Sequence, residues 1–281
     1  MNMTFREAYA WGEAQLQREG IEDANVDAWY LLEFATGVSR AIYFMKMMDS
    51  IPCEQEEKYR EYIEVRKKHI PLQHITGVQE FMGFEFAVNE HVLVPRQDTE
   101  VLVETVLEKL HPEAEVLDMC VGSGCIIISL VKLGKNVHGT GVDISQEALK
   151  IASKNCEKLS ANVKLMHSDL FENVEGQYDI IVSNPPYIRT SVIEELKEEV
   201  KCHDPFIALD GKEDGLYFYR RIVDEGRAYL KQGGKLCFEI GHDQGEDVKN
   251  LMESAGFQNV SVKKDLAGLD RVVSGEYNII G

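Results

Sequence analysis

Apolar residues recur along the chain with two different periods, and the change from one to the other falls near residue 80. In EQEEKYREYIEVRKKHI, Tyr59, Tyr62, Ile63, Arg66 and Ile70 stand at i, i+3, i+4, i+7 and i+11, a one-sided stripe that predicts a helix. Pro52 and Pro71 bracket it. Upstream, Asp23 can cap a helix carrying Ala28, Leu31, Leu32 and Ala35, which Gly37 then ends. Residues 1–70 therefore read as helical. The segment FMGFEFAVNEHVLV (81–94) breaks this period. It is rich in aromatic and β-branched residues, and with a turn at Asn89-Glu90 it predicts a β-hairpin that links two domains.

From about residue 98 the pattern alternates between strand and helix. Strands are predicted at 115–119, 137–142, 163–166, 178–183, 235–241, 257–262 and 272–280, and helices at 98–110, 125–133, 145–159, 214–231 and 243–255. Strands separated by helices of this length imply a parallel, doubly wound α/β sheet. Only Lys263 to Arg271 separate the last two strands, too few for a helical crossover, so these should pair as an antiparallel hairpin. Ligands of such sheets bind beyond the carboxyl ends of the strands, where the strand order reverses. The loops after the first four strands are therefore the places to search for chemistry.

After the first strand comes Cys120-Val121-Gly122-Ser123-Gly124 and then the apolar helix CIIISLVKLG. A glycine-rich turn that opens a helix lets backbone approach a ligand and aims free N–H groups at it. The spacing does not fit a dinucleotide fingerprint: the third glycine position of GxGxxG is Ile127. The second loop supplies Asp143, 21 residues beyond Gly122, placed to accept both hydroxyls of a ribose. In the third loop, Asp169 could accept from an adenine amino group and Leu170 could pack on its ring. Each aspartate could equally be a helix cap. All three features together at strand ends favour adenosine, with no sign of a phosphate cradle.

The fourth strand ends in Asn184-Pro185-Pro186-Tyr187, the most specific signal in the chain. Proline fixes φ and removes an N–H, and a residue before proline is pushed out of the α region. The result is a stiff loop offering a side-chain amide, carbonyls and an aromatic face. The Asn184 side-chain oxygen and the Pro185 carbonyl can each accept one N–H of a planar NH2, and Tyr187 can pack against the flat substrate. Such a loop suits methylation of an amide or aryl amine. The nitrogen lone pair is delocalised, so two acceptors that hold its hydrogens aim the nitrogen and favour the charge developing on it.

Composition narrows the partners. The 281 residues carry 30 Lys+Arg against 48 Asp+Glu, a net charge of -18. Residues 1–90 hold 9 basic and 16 acidic residues (net -7) and the remainder 21 and 32 (net -11), so neither part is a basic module that grips nucleic acid by its phosphates. The six cysteines (53, 120, 125, 156, 202, 237) form no CxxC pair and fit a reducing cytosol. Cys120 and Cys125 read as small apolar residues of a tight turn. Cys202-His203-Asp204 has no spaced partner cluster, so no metal is expected. The apolar stretch Met119–Val131 is too short to span a bilayer, and the start has no basic segment followed by an apolar one, so neither membrane nor signal peptide is expected. No heptad or large apolar face stands out, which points to a monomer.

DMCVGSG, GVDIS, SDLFE and SNPPYI together resemble the class I S-adenosylmethionine-dependent methyltransferases that methylate amino groups. More narrowly, PLQHITGVQEF, VNEHVLVPRQDTE, HDPFIALDGKEDGLYFYRRI, GGKLCFEIGHDQG and DLAGLDRVV are similar to the release factor glutamine methyltransferases of the HemK/PrmC family, a likeness that extends over nearly the whole chain, DAWYLLEFATGVSR included. The resemblance implies a Rossmann-like seven-stranded methyltransferase sheet over 96–281, a helical substrate-docking domain over 1–72 and a β-hairpin linker over 73–95. It also implies a cytoplasmic enzyme that methylates N5 of the glutamine in the Gly-Gly-Gln tripeptide of release factors, leaving S-adenosylhomocysteine. Carried onto this chain, Cys120 to Gly124 would hold the methionine part of the cofactor, Asp143 the ribose, and Asp169-Leu170 would flank adenine. Asn184, Pro185, Pro186 and Tyr187 would hold the glutamine. Cys120 stands where many relatives have glycine, Gln97 where many have proline, and Leu170 replaces a larger aromatic of some members. Arg96 and Glu100, in VPRQDTE, could line the site, join the domains or begin a helix. The same-chemistry rival, a DNA adenine or RNA guanine amino methyltransferase, should carry a basic cleft. A nicotinamide dehydrogenase is disfavoured by Ile127 and the NPPY loop, and a non-catalytic module by the intact Asn184.

Overall fold

The helical period of the first 77 residues becomes α1 (Phe5–Arg18), α2 (Ala24–Thr36), α3 (Arg40–Lys46), α4 (Cys53–Arg66) and α5 (Leu72–Thr76) in a computed structural model that describes residues 2–278. With Glu198–His203 these helices form one compact unit; Val78–Lys197 and the residues from Asp204 on form the other. Thr4 opens α1 with a capping box, its hydroxyl accepting from Glu7 N while the Glu7 carboxylate accepts from Thr4 N. Asp23 does sit at the N-cap of α2, but its side chain makes no cap bond. With ψ near 34° it lacks the extended backbone that points a capping oxygen at the first turn. Gly37, at φ 67°, ends α2 as expected. On α4 the predicted stripe is buried at Tyr59, Ile63 and Arg66, while Ile70 falls beyond the helix end. A Cβ on Gly12 would stand 1.9 Å from the Tyr59 hydroxyl, so α1 and α4 approach as closely as only glycine allows. The buried Arg66 guanidinium pairs with Asp27 (2.7 Å) and with Glu199 (2.6 Å), which compensates its desolvation.

The second unit begins with the hairpin β1 (Val78–Phe81) and β2 (Phe84–Ala87). Its turn is Met82-Gly83, with φ of 51° and 75°, and not Asn89-Glu90. Two positive φ values in a two-residue loop match the right-handed twist of paired strands. Asn89 instead builds a local turn, its side-chain oxygen accepting from His91 N.

After a short 3₁₀ turn (Gln97–Thr99) the order is α6 (Glu100–Leu107), β3 (Glu115–Met119), α7 (Cys125–Leu133), β4 (His138–Asp143), α8 (Gln146–Leu159), β5 (Val163–His167) and β6 (Tyr178–Ser183). The short helices α9 (Thr190–Ile193), α10 (Glu198–His203) and α11 (Phe206–Leu209) precede α12 (Tyr217–Gly226), β7 (Leu230–Glu239), α13 (Gly245–Ser254), β8 (Phe257–Lys264) and β9 (Asp270–Tyr277). The helix expected over 214–231 thus stops at Gly226, and Leu230 already belongs to β7. Of the strand expected over 272–280, Ile279 and Ile280 lie outside the described residues.

The seven-stranded sheet runs β5-β4-β3-β6-β7-β9-β8. β9 pairs antiparallel with both β7 and β8, so the expected terminal hairpin is present and its second strand inserts between the other two. Successive residues serve opposite faces, as the pleat requires. Val116, Ile180, Val182 and Cys237 pack with α7 on one side. Leu117, Ile181, Leu236 and Phe238 pack with Tyr219 and Ile222 of α12 on the other. The chain winds outward from β3 through β4 to β5, then returns to place β6 on the other side of β3. The switch point therefore lies between β3 and β6, and it brings the glycine-rich loop beside the NPPY loop.

Candidate active site

At the end of β3, Cys120, Gly122 and Gly124 all have positive φ (65°, 53° and 82°), so the loop folds back on itself before α7 starts. Cys120 takes this left-handed conformation without being glycine, at a cost of order 1–3 kcal/mol. Its thiol is pushed far up by burial, and that of Cys125 to about 12, so both behave as apolar groups. The loop is held on both sides. Val121 N donates to Val142 O (2.9 Å), extending the β3–β4 ladder by one bond. Asp118, fully buried on β3, accepts from Ile127 N (3.2 Å) in the first turn of α7.

Asp143, at the end of β4, accepts from Gly122 N (2.9 Å) through one oxygen and from Ser145 N (2.8 Å) through the other. It ties the first two loops together. A carboxylate offers about four acceptor positions, so capacity for two hydroxyls remains. Burial raises its pKa, and the N–H groups of Gly122, Ser145 and Ile144 oppose that rise. In the third loop Ser168 is buried and donates to Leu170 O (2.6 Å), which holds Leu170 at φ 47°. The Asp169 carboxylate accepts from Arg221 of α12 (2.9 Å), so one of its oxygens is already engaged by a cation that the sequence pattern did not single out.

Asn184, Cys120, Val121, Gly122, Ser123, Asp143, Asp169, Leu170 and Pro186 line one cavity of about 350 Å3. Arg96, Thr99, Lys212, Tyr217, Phe218 and Arg221 are among the other residues of its wall, from segments that sequence reasoning did not assign to it, the VPRQDTE stretch excepted. Gly124, Pro185 and Tyr187 are not on the wall. A Cβ on Gly124 would meet Ile128 at 2.9 Å, so this glycine serves the close packing of loop on helix. The Tyr187 side chain packs against the core on the α12 side of the sheet, and burial raises its pKa. Gly122 is different: a Cβ there would meet nothing within 4 Å, leaving open space beside the cavity wall. The wall combines a glycine-rich loop, a carboxylate anchored by two amides and an apolar side chain, and its three cations, Arg96, Lys212 and Arg221, are each already paired with a carboxylate. This fits the sugar and base of an adenosine better than a chain of phosphates.

The NPPY loop is fixed from the other direction by Gln244, which is buried after β7. Its amide donates to Tyr187 O (3.1 Å) and Gly215 O (3.3 Å) while its oxygen accepts from Gly241 N (3.0 Å). Gly215 (φ 76°) crosses so close to Tyr187 O that a Cβ would stand 2.5 Å from it. Arg96 pairs with Asp204 (2.8 Å), and Glu100, the first residue of α6, accepts from Met82 N (2.6 Å), bracing the turn of the hairpin. Among the described residues no group of three or more His, Cys, Asp or Glu could hold a metal ion.

Comparison with known proteins places this geometry in context. Residues 7–77 match the model of the PrmC N-terminal domain, and residues 96–200 that of the methyltransferase small domain. A release factor glutamine methyltransferase of Geobacter sulfurreducens is 40% identical over 273 residues, which are 97% of this chain and 96% of that protein. One of Clostridium acetobutylicum is 39% identical over 278 residues, covering 96% of this chain and 98% of its own. Among solved structures, a methyltransferase from Pyrococcus furiosus aligns with a TM-score of 0.54 at 19% identity, over 70% of this chain and 90% of that one. The hMettl16 catalytic domain aligns with a TM-score of 0.57 at 15% identity, over 79% of this chain and 84% of its own. At such identities these two structures speak to the fold, a class I methyltransferase sheet.

Proposed function

The chain belongs to the release factor glutamine methyltransferase family, and on that premise we propose that it transfers a methyl group from S-adenosylmethionine to the side-chain amide nitrogen (N5) of the glutamine in the GGQ motif of peptide chain release factors. The observation that carries the reading is Asn184, held at the sheet's switch point on the wall of a cavity that it shares with Gly122 and Asp143. Bound S-adenosylmethionine supplies the electrophilic methyl group. Asp143, Asp169 and Leu170 would hold its adenosine, with Cys120 to Ser123 against the methionine part and Gly124 packing the loop on its helix, and S-adenosylhomocysteine would leave. Asn184 Oδ1 and the Pro185 carbonyl would each accept one N–H of the glutamine amide, while Pro186 and Tyr187 keep the loop stiff. Held so, the nitrogen is aimed, and the charge that grows on it meets oriented acceptors that need no reorganisation. A strong base is not required, because the proton leaves readily once the nitrogen is cationic.

Recognition of a glutamine on an exposed loop calls for more than a pocket. We assign the helical unit as the docking surface for the release factor, supported by Val26, Tyr30 and Phe34 at i, i+4 and i+8 of α2, all exposed. The acidic balance of both parts of the chain argues against the nucleic-acid amino methyltransferase reading. No helix among the described residues is long and apolar enough to cross a membrane, and we read the enzyme as a cytoplasmic monomer. The test is incubation with labelled S-adenosylmethionine and a release factor whose GGQ glutamine is intact or replaced by Ala. Label should enter only the intact factor. Asn184→Ala should lower the rate at least ~100-fold with cofactor binding retained; normal turnover by this variant would sink the NPPY mechanism.

A further inference from the structure

Ser183 of β6 is in register with Phe238 of β7, so the next residues, Asn184 and Glu239, stand side by side at the carboxyl ends of two adjacent parallel strands. Glu239 is only 2 % exposed. Its Oε2 has no hydrogen-bond partner among the described residues, and Thr99 and Asn184 are near enough to lower its pKa. Thr99 and Asn184 belong to the cavity wall, whereas Glu239 does not.

We propose that Glu239 is a positioning residue for methyl transfer: its buried carboxylate accepts from the side-chain NH2 of Asn184 and thereby turns the amide oxygen of Asn184 toward the substrate glutamine. This rests on the reading of Asn184 given above and adds the reason for its orientation. An asparagine amide has two faces of opposite character, and either can point into a cavity. An ionised carboxylate only accepts, so the neighbour it tolerates is the NH2. The oxygen of the same amide then faces away from Glu239. A neutral side chain at 239 would leave both orientations open. Simple packing does not account for the residue, because a buried carboxylate is costly and an apolar side chain of similar volume fills such a place at lower cost.

The control depends on Glu239 being ionised. Burial raises its pKa to about 7, while Thr99, Arg271 and Asn184 oppose that rise and Asp98 adds to it. The other groups facing it are Tyr187 from the NPPY loop, Tyr219 of α12, whose hydroxyl donates to Glu239 O, and Cys125 of α7. Burial raises the pKa of all three, keeping them neutral below pH 9. Arg271 is held as a cation by Asp265 and Asp98. Glu239 is thus the member of this set that titrates near neutrality. When protonated it gains an O–H donor that can face the Asn184 oxygen and favour the wrong orientation.

The experiment measures steady-state methylation of a release factor by the full chain from pH 6 to 9, together with S-adenosylmethionine binding, for wild type, Glu239→Gln and Glu239→Asp. In Glu239→Gln, kcat should fall about 30-fold, the effect of losing one hydrogen bond to a charged group, with KM and cofactor affinity within about threefold of wild type. The wild-type rise of kcat through pH 7 should vanish in Glu239→Gln and persist in Glu239→Asp, which keeps the carboxylate at reduced kcat. Wild-type kcat in Glu239→Gln, or an unchanged pH profile in it, would overturn the proposal. So would a loss confined to cofactor affinity, or a loss of folding in both variants, since each assigns Glu239 a structural role alone. Absence of methylation by the wild type would instead refute the functional reading, which keeps the two failures apart.

Discussion

Asp143 braces a loop besides the ligand role that the sequence pattern proposes for it. The spacing from Gly122 marks it as a ribose ligand, yet each carboxylate oxygen also accepts a backbone N–H, from Gly122 and from Ser145. On the proposed reading, ligand binding and loop shape would be coupled at a single side chain. Asp143→Asn replaces one acceptor by a donor, so an N–H of the protein must face an NH2. The variant should lose about 1–3 kcal/mol of stability through the stranded group and bind S-adenosylmethionine at least about tenfold more weakly, since 1.4 kcal/mol is a factor of ten. Thermal melting and calorimetric titration check the two parts separately; unchanged affinity would show that Asp143 only braces the loop. The roles of Glu239 and Gln244 were illegible at this scale, although both stand in the FEIGHDQG segment. Those roles come from the strand register that sets Glu239 beside Asn184 and from the bonds of Gln244 to Tyr187 and Gly215, and no local pattern encodes those neighbours.

Elements were legible where a period was sustained and less so where an unusual backbone decides. Five helices of the sheet region (α6, α7, α8, α12 and α13) and its seven strands follow from alternation and length, and the terminal hairpin from a connection too short for a crossover, whereas the short α9 to α11 carry no sustained period. The hairpin was expected to turn at Asn89-Glu90, within the aromatic and β-branched run 81–94. Its turn is set by Met82, a residue seldom found at positive φ, next to Gly83. What fixes the hairpin to the sheet is equally non-local. Asn155 of α8, fully buried, accepts from Ala87 N (2.7 Å) and donates to Ala87 O (3.0 Å) and Ser123 O (2.9 Å). One amide thus joins the end of β2, the glycine-rich loop and α8. Asn155→Ala would strand three buried backbone groups, at about 1–3 kcal/mol each before relaxation. A fall in melting temperature should accompany weaker S-adenosylmethionine binding, because the Ser123 carbonyl is released with the rest. If melting changes while cofactor affinity does not, the coupling of hairpin to loop is wrong.

For the whole molecule, the acidic balance that separates a protein substrate from a polynucleotide hides a few carboxylates whose pKa is raised by burial, Asp27, Asp118, Asp143 and Glu239. A surface carboxylate paired with a cation can have a lowered pKa and stabilise the fold as pH rises, as Asp214 does, held at about 2 by Arg220. Glu239 is the buried one that meets the NPPY loop. Its pKa in the fold is about 7, against about 4.3 for an unperturbed glutamate in the unfolded chain. Between those values the folded chain keeps a proton that the unfolded chain has released. Stability contributed by this group is therefore complete below about pH 4 and is lost as pH rises through 7. The difference of somewhat over two pKa units amounts to a few kcal/mol, on the order of 3. Glu239→Gln is neutral throughout and removes this loss. Its melting temperature should match or trail wild type at pH 5 and exceed it by several degrees at pH 8, taking about 2–4 °C per kcal/mol for a chain of this size. Other titrating groups are shared by both proteins and cancel in the comparison. A variant more stable and less active at pH 8 is what a functional carboxylate predicts, since the fold is strained by the charge that orients Asn184. Calorimetric scans of both proteins at pH 5 and 8 decide it: a melting difference independent of pH would mean that Glu239 stays in one protonation state across that range, and the pH control of Asn184 would fall with it.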